Sequence, residues 1–325
     1  MGDVAMTVPV LRAFSKQYPN VKLTVLTKPF FKPLFRDLPY VTVFEADIKG
    51  KHQGVYGLYK LSKTLKKTGF DCVADLHNVL RSQILKCFFF GRKVVQIDKG
   101  RAEKKALTSG KIVQQLKTTH QRYADVFKEL GYPVDLSNPE FPKPSNLNSK
   151  CLQFIGTDSK PLLGIAPFAA FKGKAYPLSQ MQIVIETLSK QYKVLLFGAK
   201  GTEASQLQTI ADKSDNVVNL AGQLLLDDEL DIISNLELMI SMDSGNAHLA
   251  AMQGVKVLTI WGVTHPYAGF YPFYQDESNA VLPDLTKFPK IPTSVYGNSF
   301  PEGYDNVFST ISPELIIEKV KTILK

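Results

Sequence analysis

The segment from residue 236 to 264 holds the residues whose types and spacing best suit ligand chemistry. An apolar strand runs into Asp243-Ser244-Gly245, and a short helix then carries His248 in its first turn. Gly245 has no Cβ, so the backbone there can come close to a ligand. The first amides of a helix have no partner inside the helix and carry partial positive charge, which suits a phosphate group. The pattern predicts a site for an anionic, phosphate-bearing ligand.

The same segment also fits an ordinary strand-helix-strand unit. In that interpretation Asp243 or Ser244 only caps the helix, and His248 is a satisfied structural histidine. A second strand exit, which begins at Trp261 and contains Gly and Thr, lies next to the first and favours the ligand site. Ligands of open α/β sheets gather at the carboxyl ends of the strands, where both exits would lie.

Two further loops of the second half carry polar groups after predicted strands. Residues 167–177 include Lys172 and Lys174, and residues 198–203 form a Gly-rich turn that ends at Glu203. The turn lacks both the Gly-Lys-Ser/Thr ending of a P-loop and the full dinucleotide fingerprint. Lys172 fits an ordinary surface lysine. Taken together with the strand exits above, these loops predict a nucleotide site in the second half of the chain.

The first half offers fewer candidates. Asp3 lies at the start of a predicted helix, where a carboxylate is often only a favourable first-turn charge. His77, Asn78 and Arg81 follow a buried strand that ends near Asp75. His77 fits either a functional or a hydrogen-bonded structural histidine. The chain contains no Asp-x-Asp and no Gly-x-Ser-x-Gly, which argues against a metal-bridged pyrophosphate site and against a serine hydrolase.

The composition narrows the class of partner. The 325 residues carry a net charge of +9, much of it between Lys51 and Lys128, which favours an anionic partner. Nucleic acid is the weaker choice because no zinc finger or RNA-recognition signature appears. Three cysteines without metal-ligand spacing, and the absence of a signal pattern or a long apolar run, indicate a reducing cytoplasm as the default location.

The alternation of helical and strand patterns predicts two α/β domains. Residues 1–135 are expected to form a mostly parallel sheet with helices on both faces, and residues 136–160 a linker rich in Pro, Asn and Ser. Residues 161–311 repeat the α/β pattern, and residues 312–325 are predicted to form a final helix that begins with a proline.

The residues from Met1 to about Pro266 resemble glycosyltransferase family 9, the ADP-heptose:lipopolysaccharide heptosyltransferases. The most specific similarity lies in Asp243-Ser244-Gly245-Asn246-Ala247-His248-Leu249-Ala250-Ala251 and in Gly262-Val263-Thr264-His265-Pro266. Weaker similarity covers residues 1–4, residues 7–9, residues 174–177 and the turn at 198–203.

This resemblance implies a GT-B fold, an α/β architecture of two Rossmann-like domains that face across a cleft. It further implies an inverting, metal-independent transfer that needs no cofactor. An ADP-activated heptose would lie on the C-terminal domain. An anionic glycolipid, the lipopolysaccharide core, would be the acceptor and face the N-terminal domain.

The resemblance also implies residue roles by position. Asp3 becomes the general base that takes the proton of the acceptor hydroxyl, and Lys174 offsets charge on the diphosphate leaving group. The implied donor contacts are Glu203, Asp243, Ser244, Gly245, Asn246 and His248. The candidate acceptor contacts are His77, Asn78 and Arg81, of which the guanidinium suits phosphate or carboxylate.

The chain departs from the family pattern at its start, at Ala169 and Ala170, where the family commonly has hydroxyl side chains, and over residues 272–308. Members of the family carry an apolar strand before the Gly-Asp pair, whereas this sequence has only Met1 ahead of Gly2. We therefore expect the first strand of the first domain to be missing here and the true start codon to lie upstream. Residues 272–308 match nothing in the family pattern.

The expected activity is transfer of a heptose, or a related sugar, from an ADP-sugar to a lipopolysaccharide core. Two alternatives stay open: another GT-B nucleotide-sugar enzyme, with a different donor or an epimerase activity, and a nucleotide-sugar-binding protein without activity. The basic first domain suits a cytoplasmic enzyme with peripheral association at the inner membrane.

Overall fold

A computed structural model describes residues 1–156 and 159–325. The helices are α1 (Gly2–Ala5), α2 (Thr7–Gln17), α3 (Gly54–Lys66), α4 (Leu80–Cys87), α5 (Arg101–Thr108), α6 (Thr119–Leu130), α7 (Ser149–Ile155), α8 (Leu178–Leu188), α9 (Thr202–Ala211), α10 (Leu226–Ile233), α11 (Gly245–Met252) and α12 (Pro313–Ile323). The strands are β1 (Leu23–Thr27), β2 (Val41–Glu45), β3 (Cys72–Asp75), β4 (Lys93–Gln96), β5 (Leu162–Ala166), β6 (Lys193–Leu196), β7 (Val217–Asn219), β8 (Leu238–Met242), β9 (Lys256–Ile260) and β10 (Ala280–Val281).

The chain divides into two compact units. The first consists essentially of residues 3–99 and 119–140, and the second of residues 100–118 and 141–325. The predicted first domain, residues 1–135, differs from the first unit because α5 and the residues after it pack within the second. Within the part of the chain that the structure describes, no helix is both long enough and apolar enough to cross a lipid bilayer.

The second unit is built on one six-stranded parallel sheet with the strand order β10-β9-β8-β5-β6-β7. Its strands read as near-continuous apolar runs because helices cover both faces of such a sheet. Side chains of β5, β6, β8 and β9 are almost all buried, including Leu163, Ile165 and Ile240 at 0% exposure. The helices α8 and α12 pack together against this core.

The first unit contains two separate parallel pairs, β1 with β2 and β3 with β4. The single sheet predicted for this half is therefore wrong. Residues 2–17 are almost wholly helical, so in the described part of the chain no strand bridges the two pairs. Both pairs pack against the same apolar cluster on α3 and α4, which includes Leu61 and Leu85. Most strand residues here are only half-buried.

Two helices appear where the sequence predicted none. The charge-rich α5 packs through Leu107 against Leu116 and Ala268, and the ammonium of Lys104 lies 4.0 Å from the ring centroid of Phe270. The sequence did not predict this helix because its apolar face is narrow and half of its residues are charged. The predicted linker 136–160 contains α7, which begins because the Asn148 side chain accepts from the Cys151 N–H. Residues 157 and 158 of that linker lie outside the described residues.

The contrast between the units predicts a contrast in hydrogen exchange. Amides of β5, β6, β8 and β9 should exchange more slowly than those of β1 to β4. The former strands are buried and have neighbours on both sides, whereas each of the latter is half-buried and has one described partner. Native-state exchange followed by mass spectrometry measures both groups in one sample, with intrinsic rates as the reference. Equal protection of the two groups would contradict this account.

Candidate functional site

The strand order of the second unit reverses at β5, and this reversal creates a crevice at the carboxyl ends of β5 and β8. From β5 the chain adds β6 and β7 on one side, and then β8, β9 and β10 on the other. Loops that leave β5 and β8 therefore diverge, which is where open α/β sheets bind ligands. The loop after β5 carries Lys174, and Asp243 directly follows β8.

Lys174 and Asp243 form an ion pair across this crevice. The ammonium nitrogen lies 3.0 Å from Oδ2 of Asp243, and the two side chains are only 14% and 9% exposed. The same oxygen accepts a hydrogen bond of 3.0 Å from the hydroxyl of Thr264, which follows β9. Three neighbouring strand exits are thus joined through one carboxylate oxygen. This arrangement holds a cation at a fixed place beside the start of α11.

The first turn of α11 has no side-chain cap. Ser244 is the N-cap residue, but its side chain accepts no hydrogen bond from the helix among the described residues. Its hydroxyl lies 3.1 Å from that of Ser241 instead. Since Asp243 is paired with Lys174, the interpretation in which Asp243 or Ser244 merely caps the helix is wrong. The amides that follow Ser244 remain available to an anion.

Two more predicted donor residues lie on the first turn of α11. The side-chain oxygen of Asn246 is buried and has no hydrogen-bond partner within the described ranges. A buried acceptor of this kind is costly unless a ligand or water donates to it. His248 is 6% exposed and forms part of the buried side of the helix. Asp243, Ser244, Gly245, Asn246 and His248 are therefore brought together around one helix start.

Glycines make the close packing around Lys174 possible. A Cβ on Gly262 would collide with the carbonyl oxygen of Gly173, which accepts from the Val263 N–H at 2.9 Å. A Cβ on Gly297 would collide with the side-chain stem of Lys174, and Gly297 has a φ of +77°. Gly297 lies in the segment 272–308, for which the sequence predicted no resemblance to the family. The Ser294-x-x-Gly297 spacing was the available signal, since the Ser294 hydroxyl accepts from the Gly297 N–H.

The remaining polar residues of these loops have simpler surroundings. Oε2 of Glu203 accepts a hydrogen bond of 2.7 Å from the Ala199 N–H and so closes the Gly-rich turn before α9. Lys172 is exposed and pairs with Asp305, as expected of a surface lysine. Burial lowers the pKa of His265 to about 4, so its ring is neutral at neutral pH. Across residues 1–156 and 159–325, no three His, Cys, Asp or Glu side chains lie close enough together to hold a metal ion.

In the first unit, Asp3 lies in the short helix α1. Asp3 is exposed, while its backbone carbonyl accepts a hydrogen bond of 3.2 Å from the Tyr123 hydroxyl. Tyr123 is a buried residue of α6, and its burial raises the pKa of the phenol. The backbone of Asp3 is thus anchored to α6 while the carboxylate stays open to solvent.

The turn after β3 positions the other predicted residues of this unit. Asp75 accepts from the backbone N–H groups of His77 and Asn78, at 3.1 and 2.8 Å. Asn78 has a φ of +42°, and its amide donates to the carbonyl of Ile97 at the exit of β4. The Asn78 side chain thereby ties the two strand exits together. Asp75, which was not predicted as a site residue, is what gives this turn its shape.

The pKa of His77 reflects the charged groups around it. Partial burial lowers its pKa, the negative charge of Asp3 acts in the opposite direction, and the positive charges of Lys99 and Arg81 lower it further. Asp3 and Arg81 each lie within electrostatic range of His77 in the first unit. An exposed carboxylate can accept a proton from a substrate, and a guanidinium can bind an anionic group of that substrate.

Comparison with known proteins identifies the family. A model of glycosyltransferase family 9 (heptosyltransferase) matches residues 58–297, well over half of the chain. Lipooligosaccharide heptosyltransferase 2 of Haemophilus influenzae is 25% identical over 350 aligned residues, which cover 100% of this chain and 96% of the relative. The resemblance inferred from the sequence is confirmed.

Solved structures agree in fold. The glycosyltransferase family 9 structure from Veillonella parvula has a TM-score of 0.78 at 21% identity, covering 99% of this chain and 94% of that one. E. coli ADP-heptose lps heptosyltransferase II has a TM-score of 0.71 at 19% identity, with coverage of 99% and 95%. The predicted α/β architecture of the GT-B class, with two Rossmann-like domains, is confirmed. With its family model matched across both units, this chain is a glycosyltransferase and belongs to glycosyltransferase family 9.

Proposed function

We propose that this protein transfers a heptose, or a related sugar, from an ADP-sugar to a lipopolysaccharide core acceptor, with inversion and without a metal ion. The observation that carries the proposal is the Lys174–Asp243 ion pair beside the uncapped start of α11. A fixed cation and a row of free amides form a receptor for a diphosphate. The names of the relatives support the sugar and the acceptor, since they are a lipooligosaccharide heptosyltransferase and an ADP-heptose lps heptosyltransferase.

In the proposed reaction the acceptor hydroxyl attacks the anomeric carbon of the donor. The bond from that carbon to the diphosphate oxygen breaks, and ADP leaves with the electron pair. The carboxylate of Asp3 takes the hydroxyl proton as the new bond forms, which makes the oxygen a better nucleophile. A single displacement of this kind inverts the anomeric centre. Because Asp3 is exposed on an anchored turn, it is accessible to an incoming hydroxyl.

Charge on the departing diphosphate is what the second unit would stabilise. The amides that follow Ser244 supply the partial positive charge of a helix start, and Lys174 supplies a full charge. Asp243 keeps the Lys174 ammonium in place before the donor arrives, so little reorganisation is needed during the reaction. This positioned charge does the work that a divalent cation does in metal-dependent transferases. Asn246, His248 and Glu203 would complete the contacts to sugar, phosphate and ribose.

Acceptor recognition is assigned to the turn after β3. Arg81 is exposed and suits a phosphate or carboxylate of an anionic glycolipid core. His77 lies close enough to Asp3 for their charges to interact, so it can orient the same acceptor. We assign a positioning role to Asn78, because its amide is engaged with Ile97. Such an acceptor resides in a membrane, and the proposal includes peripheral association with the cytoplasmic face of the inner membrane.

A nucleotide screen tests the donor class. ADP should raise the melting temperature of the protein, and GDP or UDP at the same concentration should raise it less. Thermal-shift measurements with the three diphosphates, followed by the matching sugar nucleotides, provide the comparison. A stabilisation by UDP compounds alone would rule out the ADP-sugar donor. Donor binding without turnover on a lipopolysaccharide core would instead favour a binding protein.

Replacement of Lys174 should abolish most of the turnover. We expect Lys174→Ala to reduce kcat by about a hundredfold or more, since one preorganised charge at a developing anion contributes on that order. Lys172→Ala is a matched control, because Lys172 lies in the same loop but is exposed and paired with Asp305. Initial rates of ADP release measure both variants. Comparable losses in the two would show that the loop, rather than the Lys174 ammonium, matters.

Replacement of Asp3 should separate chemistry from donor binding. Asp3→Asn should lower kcat by about a hundredfold to ten-thousandfold while the affinity for ADP stays unchanged, because a general base acts only on the acceptor proton. Asp71→Asn is the control, as Asp71 is an exposed carboxylate ahead of β3 in the same unit. Rates and calorimetric ADP binding are measured together. Turnover that survives in Asp3→Asn would remove the base assignment.

A further inference from the structure

The outer face of α3 carries an unusual combination of aromatic and basic side chains. Leu58, Leu61 and Leu65 point into the apolar cluster of the first unit. The opposite stripe presents Tyr56 and Tyr59 at 69% and 39% exposure, followed by lysines at helical spacing. The stripe contains no carboxylate over the length of the helix. The outer face of this helix therefore differs from an ordinary charged surface, because it exposes aromatic rings together with lysines and no carboxylates.

The lysines lie over the tyrosine rings. The ammonium of Lys60 is 4.4 Å from the centroid of the Tyr56 ring, and that of Lys63 is 4.6 Å from the centroid of the Tyr59 ring. These cation–π contacts hold charge and aromatic surface side by side. Tyrosine and lysine are the residues that settle at the level of lipid headgroups, with the ring in the apolar boundary and the ammonium at the phosphates.

The turn after α4 extends this surface. Tyr59 contacts the ring of Phe88, with centroids 5.6 Å apart, so α3 and the end of α4 are neighbours. Two residues later, Phe90 is 96% exposed, although it follows the buried Phe89. The guanidinium of Arg92 lies over the ring of Phe70, which itself packs on Phe89. An apolar ring therefore projects into solvent among cations.

We propose that this basic aromatic patch, formed by Tyr56, Tyr59, Lys60, Lys63, Lys66 and Phe90, docks the protein on a membrane surface rich in anionic phospholipids. Residues 54–92 contain seven Lys and Arg residues against two Asp and no Glu, so the field of the surface complements negatively charged headgroups. Phe90 and the tyrosines insert into the headgroup boundary and the lysines bind the phosphates. This inference deepens the proposed function and rests on it only for its purpose, which is to bring the reaction site to a glycolipid acceptor in the membrane.

The test is binding to vesicles of defined composition. Wild-type protein should sediment with vesicles of phosphatidylcholine and phosphatidylglycerol in equal parts, and much less with phosphatidylcholine alone. Added salt should weaken the binding, because exposed charges are screened. The double variant Lys63→Glu/Lys66→Glu should lose about tenfold or more in partition coefficient, and Phe90→Ser several-fold. A milder pair, Lys63→Gln/Lys66→Gln, should give an intermediate loss and serves if the double glutamate variant folds poorly.

The matched control is Lys190→Glu/Lys321→Glu, which makes the same change of net charge at two exposed lysines of the second unit. This control should bind vesicles as the wild type does. Equal losses in both double variants, equal wild-type binding to neutral and anionic vesicles, or tighter binding to a short DNA duplex than to the anionic vesicles would each overturn the patch. All variants should retain the ADP-induced shift in melting temperature. That readout tests the proposed function separately, so the failure of either proposal can be distinguished from failure of the other.

Discussion

The ion pair between Lys174 and Asp243 is the contact on which the geometry of the candidate site in the second unit depends. A lysine side chain that is only 14% exposed needs a partner of opposite charge. Removing an ammonium group from water costs more free energy than the packing of its aliphatic stem contributes. Here the partner carboxylate is itself held by Thr264, so the cation is fixed by groups from three neighbouring strand exits. The strand order explains why these exits are neighbours: β5, β8 and β9 lie side by side in the sheet, at the point where the strand order reverses.

Glycine is the second requirement of that arrangement. The Lys174 loop approaches the exit of β9 so closely that Gly173 and Gly262 leave no room for a Cβ. Gly297 closes the pocket around the lysine stem from a distant part of the chain. These three glycines meet one requirement: the backbone and the Lys174 side chain can pack this closely only where no Cβ stands between them.

Local pattern was enough to predict most of the second unit and the cluster after β8. The apolar strands and the Gly245 turn are encoded within a few residues, and the buried parallel sheet follows from the alternation of strands and helices. Three features were beyond that reach. Gly297 acts across more than a hundred residues of sequence on Lys174, α5 has an apolar face too narrow to stand out among charges, and the positioning role of Asp75 depends on hydrogen bonds that no spacing reveals.

In the first unit, the pairing of the strands is less complete than the hydrogen bonding that fixes the proposed acceptor residues. Its two strand pairs share an apolar cluster, but the described residues supply no strand to join them, so the strands stay half-buried and their outer edges lack neighbours. The alternation of helical and strand patterns predicts where strands form, but it does not show whether those strands join into one sheet. Yet the residues proposed for acceptor chemistry do not depend on that closure. Asp3 is fixed by Tyr123 on α6, and the turn at His77 is fixed by Asp75 at the end of β3, so neither needs a strand between the two pairs.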